Sequence, residues 1–207
     1  MTPEFEELYE KLVAFDGSYF HVPAKVFWAL REKDRSQVEG RQIRLNLHYC
    51  VSNGNPLGMS ISGEDGPSEV QAVFKDVEPG LVYIGDRGVL SYAGVRGIVG
   101  AGADFVFRLQ SGVGFTCQQA TTLSHEDPGH GIISDRQGHL TGSNKHKPPE
   151  TAVREIIITN RDNPAEPIRL LTNMLHVPAQ VVGTSTSVAG ALNCSFVGSR
   201  CMPTSST

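Results

Sequence analysis

Between Leu81 and Leu109 the chain passes through an apolar stretch, a glycine-containing loop, a capped segment and a second apolar stretch. No other feature constrains its architecture as strongly. Leu81-Val82-Tyr83-Ile84 is a continuous apolar run that enters Gly85-Asp86-Arg87-Gly88, the pattern of a buried strand stopping at a loop that carries an acid. Ser91 is suited to cap a helix reaching about Ala101, although Gly94, Gly97 and Gly100 each weaken it by up to ~1 kcal/mol relative to alanine. Phe105 to Leu109 reads as another buried strand. Strand, loop, helix, strand at this spacing is a βαβ unit, which predicts an α/β fold with a mixed sheet flanked by helices.

The remaining elements are consistent with such a sheet. Thr2-Pro3-Glu4 is a helix-start signal, and Phe5, Leu8, Tyr9 and Leu12 share one face of the helix it begins. Val13 to Phe15 is apolar and ends on Asp16-Gly17, a turn or strand-end signal, before a second short strand around Ser18 to Val22. From Arg41 to Val51 apolar and polar residues alternate, which predicts a half-buried strand. The pattern breaks up from Ser111 to Pro149, then resumes as strands at Arg154 to Asn160 and Ile168 to Thr172. This predicts a β-rich insertion over 111–167 in a core spanning 1–110, with 168–182 returning to that core. From Pro167 to Thr207 there is no Asp or Glu, and ten of the 25 residues from Gly183 are Ser or Thr, so 183–207 reads as a poorly ordered tail.

With 207 residues, 39% hydrophobic and 19% charged, the chain is an ordinary globular one of one or two domains. Its net charge of -4 means that any nucleic-acid role rests on local patches. No run approaches the ~18 apolar residues of a membrane span, and the acidic N-terminus is unlike a signal peptide, which predicts a cytoplasmic location. Four scattered cysteines suggest neither a disulfide scaffold nor a zinc knuckle.

Asp16 and Asp86 both follow apolar strands, 70 residues apart. If those strands are neighbours, two carboxylates converge as a pair of magnesium ions requires, with hard oxygen ligands and room left for phosphates. Each acid also fits a simple turn, since Asp16-Gly17 and Asp86-Arg87-Gly88 are both good turn sequences.

Tyr83-Ile84-Gly85-Asp86-Arg87-Gly88, then Ser91-Tyr92, then Gly102-Ala103-Asp104-Phe105-Val106-Phe107-Arg108-Leu109 resembles the second-aspartate region of DDE transposases of the insertion-sequence 4 type. Phe15-Asp16-Gly17-Ser18 with Val22-Pro23 resembles that family's first-aspartate region, and Arg169-Leu170-Leu171-Thr172-Asn173 its strand before the third acid. Val89-Leu90 departs from the aromatic residue the family commonly shows after the second motif. The resemblance spans roughly Leu12 to Val181 and implies an RNase H-like core with a β-rich insertion. It implies Asp16 and Asp86 as catalytic and metal-binding residues, Mg2+ or Mn2+ as cofactor, DNA at transposon ends as partner, a bacterial-type nucleoid association, and it allows a homodimer. The reaction implied is DNA cleavage and strand transfer by two-metal chemistry.

The family continues with a helix bearing Tyr-x2-Arg-x3-Glu-x6-Lys, yet this chain has no acid there. A one-nucleotide slip between about Val181 and Ser185 would account for the loss. Read in the shifted register, Thr186 permits Tyr, Ala189 Arg, Asn193 Glu and Arg200 Lys, at the family's spacings of three, four and seven. The expectation is a core cut at both ends, frameshifted at its C-terminus and inactive for want of the third acid. The alternative is a DNA-binding remnant without chemistry.

Lys25, Arg31, Lys33, Arg35, Arg41 and Arg44 outnumber the acids between Val22 and Val51 by three, and read either as a phosphate-contacting stretch or as a solvated mixed-charge loop. Arg87 and Arg108 match family positions and either steer DNA or pair with the acids. A rival reading places zinc or iron among His125, His130, His139 and His146 with Glu126, Asp127 and Asp135, although no strict ligand spacing is present.

Overall fold

The computed structural model describes residues 2–31, 40–63, 74, 76–87, 90–125, 127–142, 147–161 and 163–197, and the side chains of Asp16, Arg31 and residues 189–197 fall outside that description. Helix α1 (Pro3–Glu10) starts where expected, the Phe5 N–H donating to Thr2 Oγ1 at 3.3 Å. Strands β1 (Leu12–Val22), β2 (Leu30–Arg31), β3 (Arg41–Cys50), β4 (Pro56–Ser62) and β5 (Val82–Gly85) precede helix α2 (Tyr92–Gly100). Ser91 caps α2, its Oγ accepting from the Gly94 N–H at 2.9 Å. Strand β6 (Asp104–Arg108) completes the βαβ unit, since β5 and β6 pair in parallel.

After β6 come β7 (Phe115–Ala120), a 3-10 turn (Asp127–His130), β8 (Ile132–Leu140), β9 (Val153–Ile158), β10 (Ile168–Thr172) and helix α3 (Ala179–Val197). The ten strands form one sheet in the order β2-β3-β1-β5-β6-β10-β9-β8-β7, with β4 also on β3. Strands β1, β5 and β6 are mutually parallel at its centre, and the pairings outward from them are antiparallel. Strands β7 to β9 thus prolong the sheet that holds β1, β5 and β6.

The sheet buries both faces, as its nearly continuous apolar central strands require. Leu12, Ala14, Val82, Ile84, Val106, Ile156 and Leu170 pack with Phe5 and Leu8 of α1 and Val181 and Val182 of α3. Their alternates Val13, Phe15, Tyr83, Phe105, Phe107, Val153 and Leu171 pack on the other face with Val95 and Ile98 of α2.

Two expectations are corrected here. Asp16-Gly17 does not end a strand: β1 runs on to Val22, with Asp16 opposite Leu47 and Gly17 opposite Asn46 of β3. A local turn signal yields to a partner strand that pairs along the whole length. Nor is the chain without a helix from Gly183, because α3 continues to Val197. Its hydroxyls bond back one turn, Thr184 to the Gln180 carbonyl at 2.7 Å, Ser185 to Val182 at 2.7 Å and Thr186 to Gly183 at 2.8 Å. Satisfied this way, Ser and Thr do not compete with the helix, while Ala179, Val181 and Val182 anchor it in the core. Residues 198–207 lie outside the described residues.

Candidate active site

Strand register brings together the segments that lead to the two acids. In the parallel β1–β5 pair Leu12 is opposite Val82, Val13 opposite Tyr83 and Ala14 opposite Ile84, and the acids follow two residues beyond the last of these pairs, Asp16 within β1 and Asp86 just after β5. Leu12, Ala14, Val82 and Ile84, which lead up to the acids, belong to the face that carries α1 and α3. The Asp86 side chain is exposed, 66% of it accessible.

Arg108 lies beside Asp86. Gly85 is opposite Phe107 in the β5–β6 pair, so Arg108 is level with Asp86, and its Nη1 lies 3.8 Å from Asp86 Oδ1. Its Nε is buried and has no hydrogen-bond partner among the described residues. Arg87 is exposed, and its carbonyl accepts from Gln110 Nε2 at 3.2 Å, tying the loop after β5 to the end of β6.

Beneath the acids, on the α2 side, Phe15 stacks on Tyr83 with centroids 5.7 Å apart and lies 6.1 Å from Phe107, which in turn stacks on Phe105 at 4.9 Å. These rings make the floor of the site stiff. Burial pushes the Tyr83 phenol above its ordinary pKa, and the Tyr83 hydroxyl accepts from the Glu78 N–H at 2.8 Å. His48, buried against Phe15, has its imidazole held below its usual range by burial, partly offset by the nearby Asp76 carboxylate.

The basic stretch divides. Lys25 is exposed in the turn after β1, about 20 Å along that strand from position 16. Arg41 and Arg44 are corrected to buried positions: Arg41 donates to the carbonyls of Phe27 and Ala29 at 3.0 and 2.9 Å, and Arg44 to Asn46 Oδ1 at 3.1 Å. They tie the β1–β3 region together and offer no open phosphate-contacting surface. Lys33 and Arg35 lie outside the described residues, as does the side chain of Arg31.

The histidine reading finds no support in its acids. Asp127 accepts from the Ser124 N–H at 2.6 Å, Asp135 is buried in an ion pair, and Glu126 and His146 lie outside the described residues. Among the described residues no three His, Cys, Asp or Glu side chains gather as a metal cluster.

Sequence reasoning missed a pair of buried charge networks beside the site. Arg154 grips Asp135 with two 2.7 Å bonds and also donates to the carbonyls of Met174 and Val177, in the connection from β10 to α3. Glu155, fully buried, is flanked by Arg136 and Arg169. The signal was complementary charge order: Asp135-Arg136 on β8 faces Arg154-Glu155 on β9.

No family model matches the chain, and no curated protein does. Among solved structures it is similar to the piggyBac transposase of a cryo-electron microscopy synaptic complex with hairpin DNA, with a TM-score of 0.51 and 10% identity. The match covers 91% of this chain and 40% of that one, so this chain spans about two fifths of its neighbour's length. The mixed α/β sheet is accordingly a transposase-like fold. No helix among the described residues is long and apolar enough to cross a membrane.

Proposed function

We propose that the chain is the catalytic core of a DDE transposase of the insertion-sequence 4 type, with an RNase H-like architecture and an incomplete set of catalytic acids. The observation that carries this reading is the parallel β1–β5 pairing, from Leu12 with Val82 to Ala14 with Ile84, that ends just before the two acids. The strand order β4-β3-β1-β5-β6, antiparallel then parallel, supports it, as does the fold it shares with the piggyBac transposase. In this reading Asp16 and Asp86 hold Mg2+ or Mn2+, hard cations that carboxylates suit, and a DNA phosphate completes their coordination. The metal supplies activation of the attacking oxygen and charge neutralisation at the phosphate. Lys25, Arg87 and Arg108 contact the DNA backbone without reading its sequence. Strands β7 to β9 correspond to the family's β-rich insertion, and α3 to its third-acid helix.

Position 193, where the family helix would carry its glutamate, falls within α3. Asn193 supplies no carboxylate, so the metal pair is held by two acids and DNA cleavage is lost or residual while DNA binding remains. Gene sequencing and a nicking assay test this together. A single-base shift near codon 183 is expected to open Tyr-x2-Arg-x3-Glu. The frame-restored protein is expected to nick supercoiled DNA with Mn2+ and to lose that activity on Asp16→Ala or Asp86→Ala. A gene with no such shifted peptide overturns the frameshift. Nicking that is indifferent to both aspartates overturns the catalytic assignment.

A further inference from the structure

Arg108 occupies an unusual position for a residue that would only steer DNA. Strand β6, which it ends, is paired on both sides, so its backbone is fixed. Its Nε is buried and lacks a partner among the described residues, while Nη1 reaches to 3.8 Å from Asp86 Oδ1. That separation is an ion pair too long for a hydrogen bond, between side chains 32% and 66% accessible. Such a pair is weak and readily exchanged. We propose, resting on the metal reading above, that Arg108 is a built-in counter-ion: it neutralises Asp86 in the metal-free protein and gives the carboxylate up to an arriving divalent cation. Its freed guanidinium then turns to a DNA phosphate oxygen. The cation and guanidinium repel each other, so both cannot share Asp86, and a planar guanidinium carried on a strand that is paired on both sides keeps its outer nitrogens for an oxyanion. Loading of the metal is thereby coupled to recruitment of the phosphate.

The test is Mn2+ affinity, read by electron paramagnetic resonance of the free ion in low salt, on the full chain. Arg108→Gln is expected to bind Mn2+ about thirtyfold tighter, the size of the repulsion between a divalent cation and a unit charge across about 4 Å in water. Arg108→Lys is expected to bind Mn2+ as the unaltered protein does, and Asp86→Asn to lose the site. In fluorescence anisotropy with Mn2+ present, Arg108→Gln is expected to bind a mixed-sequence DNA duplex more weakly, and Arg108→Lys to retain binding. Arg108→Met, which keeps the packed stem, replaces the Gln variant if circular dichroism shows that variant unfolded. Unchanged or weaker Mn2+ binding by a folded, uncharged variant overturns the exchange, while loss of binding in Asp86→Asn leaves the metal reading standing. Equal Mn2+ binding by Asp86→Asn and the unaltered protein overturns both.

Discussion

Gly85 shows how tightly the floor of the site is built. A Cβ there would stand 2.9 Å from Phe15 Cε2 and 3.3 Å from Phe107 Cδ1, so both rings must give way before the residue next to Asp86 can be enlarged. Gly85→Ala is expected to cost about 1–3 kcal/mol in urea unfolding, with the urea dependence unchanged. His48 adds a pH dependence. Its folded pKa lies below the ordinary 6.5, so as pH falls the unfolded chain takes up its proton first. Its contribution to stability is complete above about pH 6.5 and is lost below it, and His48→Gln is expected to flatten that part of the unfolding profile, as thermal melts at stepped pH would show. Single residues were only partly legible. The loop carrying Asp86 could be read from its apolar approach and its Gly-Asp-Arg-Gly turn. Asp16 was given a strand end because Asp-Gly is a turn pair locally, and only the β3 partner reveals that the strand continues.

Elements were easier to read than the contacts that position them. The caps of α1 and α2 and the βαβ unit follow directly from Thr2, Ser91 and the apolar runs around them. Helix α3 did not, because its Ser- and Thr-rich sequence lacks acids and bases, and its order depends on back-bonded hydroxyls and an apolar start buried in the core. Arg154 holds that start from β9. Asn173 does the same for β6, accepting from the Phe105 N–H at 2.9 Å and donating to Asp104 Oδ1 at 2.8 Å. Removing Arg154's charge strands Asp135 in the interior, so Arg154→Met is expected to destabilise by about 3–5 kcal/mol in denaturant unfolding. Adding Asp135→Leu is expected to restore part of that loss, since a paired burial is replaced by an apolar one. A loss below 1 kcal/mol for Arg154→Met would mean that the pair does not secure α3.

Across the molecule, a single sheet does three things. It buries two apolar faces under helices, carries the antiparallel strands β7 to β9 as an extension of its centre, and sets the strands that lead to Asp16, Asp86 and Arg108 side by side. That arrangement comes from parallel pairing between segments far apart in sequence, which no local pattern reports. The central claim, that the level of the acids is a cation site, is tested most directly by anomalous diffraction from a crystal soaked in Mn2+. A peak is expected within coordination distance, about 2.1 Å, of carboxylate oxygens from both Asp16 and Asp86. A crystal in which the two carboxylates point away from each other, with no Mn2+ peak between them, would contradict it.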